Sequence, residues 1–191
     1  AVRVGIPKII RVARKLGIQS SIPSHARNYT LALGTSGVRL LEMTGAFSVI
    51  LNDGYPVRPY GILAVHNRDK KCLYRHKNER PSEPALTPKV LQNMKTLLRQ
   101  VCISGSGRLA NIGSTPIMGK TGTSNKGKND RDLWFIAMTP DYVTGVWAGC
   151  DNEKGMPHLN HGSPALHLWK SFNSVLLHYL KDPKNSDWED L

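Results

Sequence analysis

Cysteine is scarce: three in 191 residues, at Cys72, Cys102 and Cys150, with no Cys-x-x-Cys pair. That excludes a disulfide scaffold or a zinc ribbon and leaves the redox compartment open. The three read most simply as small buried apolar groups. Long apolar runs are also lacking. No stretch approaches the roughly 18 residues of a membrane span, and no charged-then-apolar leader opens the chain. With Ala1 rather than Met at the start, the expectation is that the natural N-terminus lies upstream. Aromatic residues are only 7% and few are interleaved with basic ones, which argues against a nucleic-acid partner. There is no internal repeat and no low-complexity segment. The most uneven shortage is of negative charge, for the first 41 residues carry no acid at all.

What is present is an ordinary globular balance, 40% hydrophobic and 21% charged, at a length of one domain. A chain this long can bury about 70% of its unfolded surface and needs no covalent staple. The net charge is +12, distributed as +7 over residues 1–41, +2 over 42–84, +7 over 85–131 and −4 over 132–191. Such a field attracts anions and speaks to partners rather than to fold.

Hydrophobic periodicity divides the chain into elements. Ile6, Ile9, Ile10, Ala13 and Leu16 recur at helical spacing, with Pro7 in the first turn and Gly17 at the end, predicting a helix over 6–17. Its opposite face carries Lys8, Arg11, Arg14 and Lys15, which read as a solvated stripe. Residues 19–37 read as loop, and 38–51 as a largely buried helix closed by Asn52-Asp53-Gly54. Residues 60–66 and 71–75 predict a hairpin around 67–70. Thr87-Pro88 predicts the N-cap and first position of a helix with Val90, Leu91, Met94, Leu97, Leu98 and Val101 on one face. Residues 116–123, 133–138 and 142–150, separated by polar turns, predict a three-strand antiparallel meander. A last helix over 164–180 would present Ala165, Leu168, Trp169, Phe172, Leu176, Tyr179 and Leu180, and an acidic polar tail follows. This order argues an α+β fold with helices packed on an antiparallel sheet.

The most specific stretch is Gly119-Lys120-Thr121-Gly122-Thr123-Ser124-Asn125. A Lys-Thr-Gly triplet alone is weak, but here a strand precedes it, a polar turn follows it, and Asp130-Arg131-Asp132-Leu133-Trp134-Phe135 opens the next strand. Glycine in a strand permits close approach of a ligand backbone. The lysine and two hydroxyls beside it can hold a carboxylate. Other candidates are weaker. His158, His161 and His167 lack a cysteine or carboxylate at ligand spacing. They read as surface histidines, so no metal and no cofactor is expected. Asp130 and Asp132 read as a solvated turn.

These motifs, with others in the same order, resemble the C-terminal part of the transpeptidase domain of class A penicillin-binding proteins, within the penicillin-recognising serine enzymes. The resemblance covers nearly the whole chain. It includes Ala1–Gly17; Leu31-Ala32-Leu33-Gly34 with Leu41-Glu42-Met43, Ala46-Phe47 and Asn52-Asp53-Gly54; and Pro59-Tyr60 with Ile62. It continues through Ser104–Ala110 (the family's GTGR.A segment), Gly119–Asn125, Trp134-Phe135, Thr139-Pro140-Asp141, Gly145-Val146-Trp147, and Gly162 to Trp169. It implies a partial β-lactamase/transpeptidase-like fold with the N-terminal part of the domain missing. The transpeptidase portion would be residues 1–181, and 182–191 the tail.

The resemblance also implies a D,D-transpeptidase that cross-links peptidoglycan by acyl transfer from D-Ala-D-Ala stem peptides, and that binds β-lactams. A serine would attack and a lysine activate it. Lys120 would supply positive charge toward the substrate carboxylate and the proton relay. Thr121 and Thr123 would offer hydroxyls, Gly122 would keep the strand flat, and the amide of Thr123 would be one of two oxyanion donors. The expected place is the extracytoplasmic face of the bacterial inner membrane, reached through an upstream anchor that often accompanies a glycosyltransferase domain. The chain departs from the family in lacking any Ser-x-x-Lys. Its one Ser-x-Asn, Ser171-Phe172-Asn173, follows the Lys-Thr-Gly instead of preceding it and reads as chance. The expectation is therefore one wall of an active site, inactive alone. The alternative is a non-catalytic peptide-binding module. Arg39-Leu40 stand where the family has Thr-Pro, so Ser36 or Thr35 would have to cap the second helix. In the family the sheet is finished by strands from the start of the domain, so the strand over 142–150 is expected to present an unpaired edge.

Overall fold

A computed structural model describes residues 1–23, 29–77, 81–126, 129–150, 155–156 and 163–180. The polar tail, with His158, His161 and Gly162, lies outside the described residues.

Helix α1 (Ile6–Lys15) has Pro7 in its first turn and Gly17, at φ 100°, just past its C-cap Leu16. Lys8, Arg11 and Lys15 are exposed, but Arg14 is not simply solvated. Its Nη1 donates to the carbonyls of Ile18 (2.6 Å) and Ser20 (2.9 Å), so a basic side chain in the last turn folds the exit loop back on the helix end. Ser20 in turn donates from its amide (3.0 Å) and hydroxyl (2.6 Å) to Glu42 Oε2. The loop expected over 19–37 contains a short 3₁₀ turn at Tyr29–Leu33.

Helix α2 (Leu40–Leu51) buries Ala46, Val49 and Ile50 while Leu40 and Leu41 at its start are exposed. Neither Ser36 nor Thr35 caps it. Arg39 is the N-cap residue with no side-chain cap bond, and Thr35 Oγ1 pairs with Thr30 Oγ1 at 3.2 Å instead. The acidic Glu42 in the first turn complements the helix dipole in place of a cap. The helix ends on Asp53 (φ 50°) and Gly54 (φ 89°), where a Cβ would meet the Leu86 carbonyl at 2.5 Å.

The expected hairpin is present, with paired strands β1 (Ala64–His66) and β2 (Cys72–Arg75) shorter than the apolar runs. Tyr60 stacks on His76 below the paired strands, at 3.7 Å between ring centroids. Helix α3 (Pro88–Ile103) starts as predicted, Thr87 Oγ1 accepting from the Val90 amide at 3.5 Å. Its buried line is Leu91, Leu98 and Cys102; Val90 and Leu97 are exposed, so the packed face is narrower than the apolar stripe. A second 3₁₀ turn, Arg108–Ala110, follows.

The meander forms with strand order β3-β4-β5: β3 (Met118–Lys126), β4 (Asn129–Met138) and β5 (Val143–Gly149), all antiparallel. The first two strands run further into the expected 124–131 turn than hydrophobicity indicated, because Ser124–Lys126 pair with Asn129–Asp132 across a bulge. Thr139 closes the β4–β5 turn, its amide donating to the Tyr142 carbonyl at 2.9 Å and its Oγ1 accepting from the Tyr142 amide at 3.2 Å. Among the described residues β5 pairs on one side only, with β4, which bears out the open edge.

Helix α4 (Pro164–Leu180) packs on the sheet through Ala165, Leu166, Trp169 and Asn173. Trp169 meets Phe135 edge-on at 5.4 Å and donates Nε1 to the Thr144 carbonyl at 3.0 Å. Leu168, Phe172 and Tyr179, expected to be packed, are exposed. Phe172 and Leu176 instead line an open groove of about 450 Å³ with Leu40, Leu41, Thr44 and Tyr142–Gly145. A second cluster, Ile50, Leu98 and Met138, joins α2 and α3 to the sheet.

Candidate functional site

Strand β3 carries the Lys-Thr-Gly triplet and is the other edge of the sheet among the described residues. Register sets its chemistry. Thr121 lies opposite Phe135, Gly122 opposite Trp134 and Thr123 opposite Leu133. Side chains alternate, so Gly119, Thr121 and Thr123 share one face, with Lys120, Gly122 and Ser124 on the other. Two of these glycines are demanded by packing. A Cβ at Gly119 would collide with Ala137 Cβ, and one at Gly122 would press on Trp134 Cβ at 3.2 Å.

In an antiparallel edge strand, alternate residues turn both backbone polar groups away from the neighbour. The Gly119 backbone faces the Cys102 thiol on α3, and the Thr121 carbonyl accepts from Lys120 Nζ at 2.7 Å. By that alternation Thr123 belongs to the same outward-facing set. The exposed edge thus offers two threonine hydroxyls, a lysine ammonium and, at Thr123, outward-facing backbone, which suit an extended peptide with a carboxylate. Burial pushes the Cys102 thiol up, with the Gly119 backbone opposing, so it is a packing group and no nucleophile. Cys72 is exposed and Cys150 half-buried, so only one of the three cysteines is buried as expected.

The acidic pair is structural, which corrects the solvated-turn reading. Both aspartates lie on β4. Asp130 is buried, bridged through its backbone to Met156 and accepting from Asn125 Nδ2 at 3.3 Å. Asp132 accepts from Ser124 Oγ (2.5 Å) and from Trp147 Nε1 (3.0 Å), tying the strand after the triplet to β5. His167 is exposed, and among the described residues no three metal-ligating side chains gather. Ser171-x-Asn173 lies on α4, with Asn173 in the core. Asn173 is buried, accepting from Thr144 Oγ1 at 3.1 Å and donating to the Trp169 carbonyl at 2.9 Å, although Phe172 faces outward.

The residue given no role by sequence is Ser106. Its Oγ sits 2.7 Å from Thr121 Oγ1, joining the turn after α3 to the triplet. The only signal was its place in the Gly105-Ser106-Gly107 segment.

The model of the penicillin binding protein transpeptidase domain matches residues 16–154. The chain is 30% identical to penicillin-binding protein 1A of Aquifex aeolicus, covering 91% of this chain and 23% of that protein. It is 33% identical to penicillin-binding protein 4 of Bacillus subtilis, covering 84% and 27%. Among solved structures, penicillin-binding protein 3 of Mycobacterium tuberculosis superimposes with a TM-score of 0.75 at 22% identity, over 95% of this chain and 48% of that one. Penicillin-binding protein PonA1 of the same organism, in complex with penicillin V, gives 0.70 at 20%, over 90% and 50%. The chain therefore spans about a quarter of these curated relatives and about half of these solved chains. Matched in sequence over most of its length and in fold over nearly all of it, the chain belongs to the penicillin-binding protein transpeptidase family.

Proposed function

We propose that this chain forms one wall of a serine D,D-transpeptidase site, the wall that receives the C-terminal D-Ala-D-Ala of a peptidoglycan stem peptide or the β-lactam that imitates it. The observation that carries the reading is the β3 edge, where the exposed Lys120 and Thr123 flank Thr121 and Lys120 Nζ donates to the Thr121 carbonyl. Thr121 and Thr123 hydroxyls would hold the substrate carboxylate, Lys120 would supply positive charge beside it, and the Thr123 amide would be one oxyanion donor. Gly122 lets the substrate backbone lie along the strand as an added one. The acyl-accepting serine and its lysine base would come from sequence other than these residues, which contain no Ser-x-x-Lys. The place of action would be the extracytoplasmic face of the bacterial inner membrane, where peptidoglycan is assembled. Among the described residues no helix is long and apolar enough to cross a membrane.

Fluorescent penicillin tests this directly. The 191-residue chain is expected to stay unlabelled. A protein in which Ala1 is preceded by family sequence bearing Ser-x-x-Lys and Ser-x-Asn is expected to label on that upstream serine. Lys120→Ala in that protein should slow acylation by roughly 10²-fold or more, in line with removal of a preorganised charge from an acyl-transfer site. A serine adduct on the 191-residue chain would overturn the assignment. Labelling of the longer protein unaffected by Lys120→Ala would take Lys120 out of the site, and failure of the longer protein to label would favour the non-catalytic module.

A further inference from the structure

We infer that Ser106 is a positioning residue for Thr121, holding its hydroxyl toward the anion that the β3 edge receives; this rests on the reading above. Ser106 lies in a turn that is rigidly placed. The amides of Gly105 and Gly107 both donate to the Val101 carbonyl, at 3.1 and 3.0 Å, closing the end of α3. A Cβ at Gly105 would lie 2.9 Å from Val101 Cα and O, and one at Gly107 would lie 3.1 Å from Cys102 Sγ. The turn therefore presses directly on α3, whose buried Cys102 thiol faces the Gly119 backbone. Helix end and strand thus meet at Cys102–Gly119 beside the Ser106–Thr121 contact.

Within that frame the 2.7 Å contact selects one arrangement of Thr121. Threonine has few χ1 wells, and a hydrogen bond from a fixed neighbour picks among them. Each hydroxyl has one proton and can both donate and accept. Without a ligand either can donate. A carboxylate at the open edge imposes one order, Ser106 donating to Thr121 Oγ1 and Thr121 donating to the anion. Hydrogen bonds in such a chain polarise one another, so the Thr121 proton is both aimed and strengthened as a donor. Alanine at 106 would leave Thr121 present but its hydroxyl unaimed. Threonine at 106, the residue at the matching position of the family's segment, would keep the donor.

The test uses the whole chain, isotope-labelled, as wild type, Ser106→Ala and Ser106→Thr. Three-bond couplings report the Thr121 χ1 population. Titration with an N-acetylated peptide ending in D-Ala-D-Ala, and with its C-terminal amide, reports affinity through the amide shifts of Thr121–Thr123. Wild type and Ser106→Thr are expected to hold one χ1 rotamer. Ser106→Ala is expected to average it and to weaken the free-carboxylate peptide roughly three- to tenfold, the equivalent of one net hydrogen bond. The amide peptide should bind all three alike. A single Thr121 rotamer surviving in Ser106→Ala overturns the inference, as does an averaged rotamer with unchanged affinity for the carboxylate. If no variant binds the peptide, the substrate reading fails, while the rotamer populations still decide whether Ser106 positions Thr121.

Discussion

Glu42 shows how much one side chain can organise. Its carboxylate accepts the Ser20 hydroxyl and amide and sits 3.4 Å from Arg39 Nη1, so the loop leaving α1 is tied to the first turn of α2. The Ser20 hydroxyl, more than its amide or the Arg39 guanidinium, holds the Glu42 carboxyl below the usual glutamate range, against the opposing effect of partial burial. A carboxyl lowered on folding stabilises the folded state above its unfolded value, and that contribution disappears as pH falls through the folded value. The Ser20 amide should therefore be protected from hydrogen exchange at neutral pH and lose protection on acidification through and below the ordinary glutamate range. Glu42→Gln should abolish that pH dependence. An exchange rate for Ser20 with the same intrinsic pH profile in both proteins would show that the link carries no stability.

At the scale of elements, the contact of α2 with β5 is made possible by one missing side chain. Gly145 lies under α2, where a Cβ would overlap Thr44 Oγ1 and come within 3.1 Å of Leu40 Cδ1. Gly145→Ala should force the two apart and cost about 1–3 kcal/mol, as overpacking does. Gly61→Ala, with open space around it, should change stability by less than about 0.5 kcal/mol. Urea denaturation of the two variants gives the comparison, and equal midpoints would contradict the packing. The same scale explains where periodicity misled. Helix α4 has apolar residues on more than one stripe, and the sequence does not say which stripe meets the sheet. Trp169 and Asn173 do, because their polar atoms find Thr144, whereas the apolar Leu168 and Phe172 stay outside. Helix starts were readable where a cap was present, as at Thr87, and misread at α2, where the N-cap Arg39 makes no side-chain cap bond and Glu42 stands in the first turn.

Across the whole molecule, apolar surface is left open along one side. The β5 edge, the exposed start of α2 and the outer stripe of α4 converge on the groove lined by Leu41, Tyr142, Val143 and Phe172. Leu41 is 64% and Phe172 54% exposed, so apolar side chains gather at this surface. An unpaired edge beside such a surface promotes association. Analytical ultracentrifugation should show concentration-dependent self-association of the 191-residue chain, reduced in Leu41→Lys/Phe172→Glu with no loss of thermal stability. A monomer at all concentrations would mean that the groove is closed in solution.

The sequence by itself determined the elements, their order and the family. Turn residues, caps and apolar periods are local, and the Lys-Thr-Gly triplet is legible because its strand and turn context is contiguous. The strand meander followed from the same local signals, and the open β5 edge from the resemblance to the family. Only the tertiary structure decided which faces pack and which polar groups meet. Asp132 reaching Trp147, Asn173 under Thr144 and Ser106 against Thr121 each join residues whose pairing the sequence does not show. Their partners are brought close by packing of distant segments, and a hydrogen bond acts only over that last few ångströms.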